Sequence, residues 1–173
     1  MENADQQVLT QLTRWVKAGQ MAWLCTVVKT WGSSPRPIGS LLCCNTEGHV
    51  AGSLSGGCIE EDLLERLKDG KLATSKPELL IYGGTPEEVE RFQLPCGGQL
   101  HIIIEPVSDK TQLAAFQQIV GCLEARQCIE RTLDIATGKM QVEDKERFKH
   151  LSFVGDFEAV SYTHLTLPTN REV

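Results

Sequence analysis

The sequence predicts an α/β fold, a single domain built on a mixed β-sheet flanked by helices. Three observations carry that expectation. Apolar residues recur at helical spacing in separate stretches, such as Val8, Leu9, Leu12, Trp15 and Val16. Short, nearly unbroken apolar runs, Met21 to Val28 among them, read as buried strands. Turn residues stand between neighbouring runs, as in Asn45-Thr46-Glu47-Gly48. At 173 residues the chain is long enough for one domain with a real core.

In order, the first helix ends at Gly19 and the Met21 to Val28 strand follows. Lys29 to Pro37 carries Gly and Pro and reads as a loop. Ser40 to Cys44 and His49 to Leu54 form a strand pair around the Asn45–Gly48 turn. Ser55-Gly56-Gly57-Cys58 opens a helix whose apolar stripe is Ile59, Leu63, Leu64 and Leu67. Glu60, Glu61 and Asp62 stand at its positive end, and Gly70 stops it. Leu79 to Tyr82 is a short strand. Thr85-Pro86-Glu87-Glu88 has a cap, a Pro at the first helical position and a Glu three after the cap, so a short helix begins there. Leu94-Pro95-Cys96-Gly97-Gly98 is a second Gly-rich loop before the strand Leu100 to Glu105, which Pro106 ends. Asp109 caps a helix bearing Leu113, Phe116, Ile119, Val120 and Leu123. Cys128 to Ile135 and Lys139 to Val142 pair as a hairpin around Thr137-Gly138.

Composition narrows the function. Seventeen basic and twenty-three acidic residues give a net charge of −6, against a general nucleic-acid binder, which needs a positive surface to displace counterions. No apolar run approaches the ~20 residues that cross a bilayer, and no secretory signal is visible, so a cytoplasmic protein without membrane attachment is expected. The seven cysteines, an odd number, fit reduced thiols. No Cys-x-x-Cys pair exists, and adjacent Cys43 and Cys44 point to opposite faces of a strand, which argues against a closed zinc site. Cys25, Cys43 or Cys44, Cys122 and Cys128 lie in apolar runs and read as small core hydrophobes.

Three loops carry chemistry. In Ser55-Gly56-Gly57-Cys58 the glycines let backbone N–H groups approach a ligand. The helix dipole there favours an anion, phosphate or the Cys58 thiolate, and a thiol so placed becomes a nucleophile or a soft-metal ligand. A plain Gly-rich turn with a buried Cys is the structural alternative. Pro95-Cys96-Gly97-Gly98 repeats the pattern, and a turn before a strand explains it equally well. Together the Cys58 and Cys96 thiols could hold a soft ligand such as molybdenum, or a dithiolene-bearing group beside it. In Trp31-Gly32-Ser33-Ser34-Pro35-Arg36-Pro37, the hydroxyls of Ser33 and Ser34 and the Arg36 fork match a phosphate, and Trp31 could stack on a flat heterocycle. The alternative there is a capped surface loop. His49 and His101 sit on strands without ligand partners at useful spacing. Glu105 could hydrogen-bond a pterin-like ring, though a solvated strand end is simpler. No Ser/His/Asp set, P-loop or metal-binding His pair is visible.

The motifs Thr30-Trp31-Gly32-Ser33-Ser34-Pro35-Arg36, Gly52-Ser53-Leu54-Ser55-Gly56-Gly57-Cys58-Ile59-Glu60, Pro95-Cys96-Gly97-Gly98 and Glu105-Pro106 resemble the N-terminal domain of the xanthine dehydrogenase accessory protein family (XdhC/CoxI), from about Met21 to Pro106. The resemblance implies a maturation factor, closer to a chaperone than to an enzyme. Such a protein binds molybdenum cofactor (molybdopterin) as cargo, protects it while it is sulfurated and inserts it into apo xanthine dehydrogenase or a related molybdenum hydroxylase. It also implies that the family's two cysteines fall on Cys58 and Cys96, as molybdenum contacts, with Ser55, Gly56, Gly57, Gly97, Gly98, Ser33, Ser34 and Arg36 around the cofactor. A cysteine desulfurase and a second copy of the chain are the further partners expected. The resemblance further implies a Rossmann-like C-terminal domain, which this sequence is expected to lack.

Residues 160–173 resemble the translation of a transposase adaptor used in sequencing libraries, so residues 1–159 are taken as the family domain and Tyr162, His164 and Pro168 are set aside. A natural polar C-terminus is the alternative. Two rival functions remain: a sulfur-transfer or redox protein using Cys58 as nucleophile and Cys96 as resolving thiol, and a non-catalytic scaffold whose Gly-rich loops are only turns.

Overall fold

A computed structural model describes residues 4–31, 38–54, 58–92, 98–145, 152–156 and 161–168. The elements are α1 (Ala4–Lys17), β1 (Ala22–Trp31), β2 (Leu41–Asn45), β3 (Val50–Gly52), α2 (Cys58–Lys68), β4 (Glu78–Tyr82), α3 (Pro86–Arg91), β5 (Gln99–Val107), α4 (Lys110–Glu124), β6 (Cys128–Leu133), β7 (Met140–Lys145), β8 (Ser152–Asp156) and β9 (Ser161–Pro168). They form a five-stranded sheet ordered β3-β2-β1-β5-β4 and a four-stranded sheet ordered β7-β6-β9-β8.

Helices flank the first sheet as the sequence predicts. The parallel pairs that a mixed sheet implies do not occur, because every strand pairing among the described residues is antiparallel. The connections explain this. Tight turns join β2 to β3 and β6 to β7, and α2 links strands at opposite edges of the first sheet, so no helix joins neighbouring parallel strands.

Alternation along the strands divides the core. Ala22, Leu24, Leu41, Cys43 and Val107 pack on α1 and α4 through Val8, Leu9, Leu12, Phe116 and Ile119. Trp23, Cys25, Val27, Leu42, Cys44, Ile102 and Ile104 pack on the other side against Ile59, Leu63 and Leu67 of α2. Cys43 and Cys44 thus do face opposite ways, and the Cys43 thiol donates to the Val8 carbonyl at 3.3 Å. Burial pushes the Cys43 thiol up to about 12. A hydrogen bond with Cys44, then burial, pushes the Cys25 thiol well above its usual range. Both thiols stay protonated at neutral pH and act as core residues, as expected. Cys122 is buried too, while Cys128 is half-buried.

Several strand boundaries differ from expectation: β3 spans Val50–Gly52 rather than 49–54, β6 ends at Leu133, β7 runs on to Lys145, and two further differences have a clear structural reason. β1 continues past Val28 to Trp31, because Lys29, Thr30 and Trp31 pair with His101, Leu100 and Gln99 across a bulge. Pro106 does not end β5; it pairs opposite Trp23 and the strand continues to Val107. β4 pairs no further than Ile104, so the flank of β5 at Pro106 has no β4 partner to which an N–H would be owed. The caps are as expected. Thr85 Oγ1 accepts the Glu88 N–H at 3.2 Å, and Asp109 with Gln112 forms a reciprocal capping box. β8 and β9 were not anticipated. β9 lies within the 160–173 segment set aside above, and its backbone pairs with β6 and β8.

Candidate functional site

Strand direction decides where the residues flanking the three loops lie. β1 ends with Trp31 opposite Gln99, the first residue of β5. Antiparallel pairing brings the start of β2 and the ends of β3 and β4 to that same end of the sheet. Three segments therefore have their flanking residues at one end: 32–37 after β1, 55–57 between β3 and α2, and 93–97 between α3 and β5. Ser33, Ser34, Arg36, Ser55, Gly56, Gly57, Cys96 and Gly97 lie outside the described residues. The backbone of Cys58 opens α2, and Gly98 is buried at the entry to β5.

The residues around the Ser55–Gly57 segment are held tightly. The Glu60 carboxylate accepts the Leu54 N–H at 2.9 Å and the Ser53 hydroxyl at 3.3 Å, bending back from the first turn of α2. Leu54 is buried against the α2 face. Gly52 has φ +87°, and a Cβ there would overlap the Leu41 carbonyl oxygen and come within 2.7 Å of Val8 Cγ2. Three positions of the second motif, Gly52, Leu54 and Glu60, are thus fixed on either side of residues 55–57. Glu60 and Asp62 were read as charges at the helix dipole; each has a more particular partner, and of the three acids Glu61 is the one left exposed.

Asp62 organises a cluster that sequence reasoning missed. Its buried carboxylate accepts the Tyr82 hydroxyl at 2.8 Å and Arg66 Nε at 2.9 Å, with Arg91 Nη2 at 3.5 Å. The Arg66 guanidinium lies 5.5 Å from the Tyr82 ring centroid and that of Arg91 lies 5.0 Å from Phe92, while the two rings meet edge to face at 5.1 Å. Burial first, then the Asp62 hydrogen bond, holds the Tyr82 phenol far above its usual range, so it remains a donor. The four-residue spacing of Asp62 and Arg66 was a visible signal; Tyr82 and Arg91 carried none, since the contacts cross from β4 and α3 to α2.

Glu105 is neither a solvated strand end nor free to meet a pterin ring. It is buried and forms a two-bond pair with Arg131 of β6, at 2.7 and 2.9 Å. Arg131 also lies 5.3 Å from the Phe116 ring centroid. His101, two residues after Gln99 on β5, is buried as well, and burial aided by Lys29 lowers it to about 4. The structural reading of His101 therefore holds, whereas His49 is exposed at a turn beside Glu47. Two cavities sit at the opposite end of the sheet, one of about 130 Å³ by Trp23 and Asn45 and one of about 440 Å³ between the first turn of α4 and the Thr137–Gly138 turn. Among the described residues no three His, Cys, Asp or Glu side chains form a metal-binding group, and no helix is long and apolar enough to cross a membrane.

The chain is similar to known proteins in sequence and in fold. Residues 15–83 match the model of the XdhC and CoxI family. The matched XdhC and CoxI segment runs from α1 through β4, so it includes the Gly52–Glu60 clasp, Asp62, Arg66 and Tyr82. The chain is 26% identical over 129 residues to a protein of Bacillus subtilis described as a probable xanthine dehydrogenase component, covering 73% of this chain and 38% of that protein. It is 28% identical over 113 residues to the molybdenum cofactor insertion chaperone PaoD of Escherichia coli, covering 63% of this chain and 33% of the chaperone. The chain therefore matches 38% of the length of the first relative and 33% of the second. A crystal structure of a xanthine dehydrogenase from Bacillus halodurans superposes with a TM-score of 0.63 over 83% of this chain and 42% of that one, at 21% identity, which establishes the shared fold.

Proposed function

We propose that this chain is the cargo-handling part of a molybdenum cofactor maturation factor. It binds molybdopterin-bound molybdenum through Cys58 and Cys96, with Ser33, Ser34, Arg36 and the glycines of the two Gly-rich loops receiving the phosphate and the pterin. It shields the cofactor while a cysteine desulfurase supplies sulfur, and delivers it in the cytoplasm to an apoenzyme of the xanthine dehydrogenase type. The observation that carries this reading is the convergence, at one end of the first sheet, of the residues flanking all three loops. The XdhC and CoxI match and the chaperone relative support it. The burial of Cys25 and Cys43, both held protonated, fits this reading, since neither thiol is available as a competing ligand.

The test is pterin retention. Protein purified from cells that make the cofactor should release stoichiometric pterin on denaturation, read as fluorescence after acid oxidation. Cys58→Ala should lower the yield by about tenfold, as expected for loss of one strong ligand contact, without changing the unfolding midpoint. A Cys58 persulfide or a Cys58–Cys96 disulfide without pterin would replace this reading with sulfur transfer. Full tolerance of alanine at both cysteines would leave only a scaffold.

A further inference from the structure

The arginines around Asp62 have more capacity than their contacts use. Arg66 gives Asp62 its Nε and Arg91 gives one Nη, so each guanidinium keeps further N–H donors. Their side chains are 43% and 67% exposed, whereas Asp62 is 10% exposed. Among the described residues Asp62 is the one carboxylate paired with either guanidinium, although Glu61, Glu65, Glu87 and Glu90 share the two helices. Two cations on one anion leave the cluster one positive charge in excess.

The cluster is also held in shape. Asp62 orients both forks, and the edge-to-face Tyr82–Phe92 pair gives each a ring to lie against. Such fixing lowers the entropy lost when an anion binds. Its position is the second observation. Asp62 is one helical turn beyond Cys58, Tyr82 closes β4 at the loop end of the sheet, and Arg91 and Phe92 directly precede the 93–97 segment.

We propose that Arg66 and Arg91 form a phosphate-binding pair, positioned by Asp62, that takes the phosphate of a flat heterocyclic cargo. The two forks grip the phosphate oxygens while Asp62, shielded beneath them, keeps the guanidiniums apart and aimed. Assigning the heterocycle rests on the pterin reading above; the anion site itself does not.

Titration of the full chain with 6-hydroxymethylpterin phosphate, 6-hydroxymethylpterin and inorganic pyrophosphate tests this. The phosphorylated pterin should bind about 10–100-fold more tightly than the unphosphorylated one, the range of charge-assisted hydrogen bonds. Arg66→Gln and Arg91→Gln should each remove most of that advantage. Arg126→Gln, in the exposed turn after α4 on the opposite face of the sheet, should not. Circular dichroism and the unfolding midpoint confirm that the variants fold. A phosphate advantage that survives both substitutions overturns the site. Equal binding of the two pterins overturns it while sparing the pterin reading. Arginine-dependent binding of pyrophosphate without either pterin supports the site and removes the pterin reading, and binding of none of the three removes both.

Discussion

Two carboxylate–arginine groups stand on opposite faces of the first sheet, and they differ mainly in solvent. Glu105 and Arg131 are sealed between the two sheets, with side chains 5% and 1% exposed. Asp62 is sealed, but its two arginines lie partly in water. In the first group the charges meet in a two-bond pair, and a spare donor, Arg131 Nε, is buried where a ligand from solvent does not reach it. The group is closed to solvent, and the pair ties β6 to β5. In the second, one carboxylate is shared by two cations that retain donors. The same residue types are structural where water is excluded and available for recognition where one side stays wet.

Breaking one partner of the sealed pair should have the largest effect. Glu105→Gln or Arg131→Met alone should cost about 3–5 kcal/mol in urea unfolding, because the remaining charge is stranded in the core. The double variant Glu105→Leu/Arg131→Met should recover much of that loss. Additive losses would show that the two groups do not act as a pair.

Next is the pH response of the same strand. His101 has a folded value of about 4, below the ordinary 6.5 that it regains on unfolding. The unfolded chain therefore binds the extra proton between these values, so stability is full above about pH 6.5 and falls on acidification toward pH 4, by up to about 1.4 kcal/mol per pH unit. His101→Leu should flatten this slope in unfolding midpoints measured across that range.

At the open group the effects shrink. Tyr82→Phe removes the buried hydroxyl that donates to Asp62 and should cost about 1–2 kcal/mol. Arg91→Gln should cost less than about 1 kcal/mol, since its contact with Asp62 is long and solvated. A large stability loss in Arg91→Gln would make the open group as structural as the sealed one and erase the contrast.

Much of the scaffold was legible before the structure. The buried faces of α1, α2 and α4 follow apolar spacing, and the Thr85 and Asp109 caps follow rules that span three residues. Glycine at position 52 stood inside a visible motif, but its reason lay in Val8 and Leu41, which are distant in sequence. Glu105 was misread for the same cause: its partner is 26 residues away, on a strand of another sheet. Pro106 suggested a strand end because a missing donor matters only when a neighbour needs it, and the neighbour's length is not a local property.

By itself the sequence determined what short-range forces control: helix stripes, strand runs, caps, turns and the motifs placed on three loops. Only the tertiary structure decided which strands are neighbours outside the two hairpins, that these too run antiparallel, that the loop-flanking residues meet at one end, and which carboxylate is closed and which is open. Those outcomes depend on burial and pairing between residues far apart in the chain, where no local spacing rule applies.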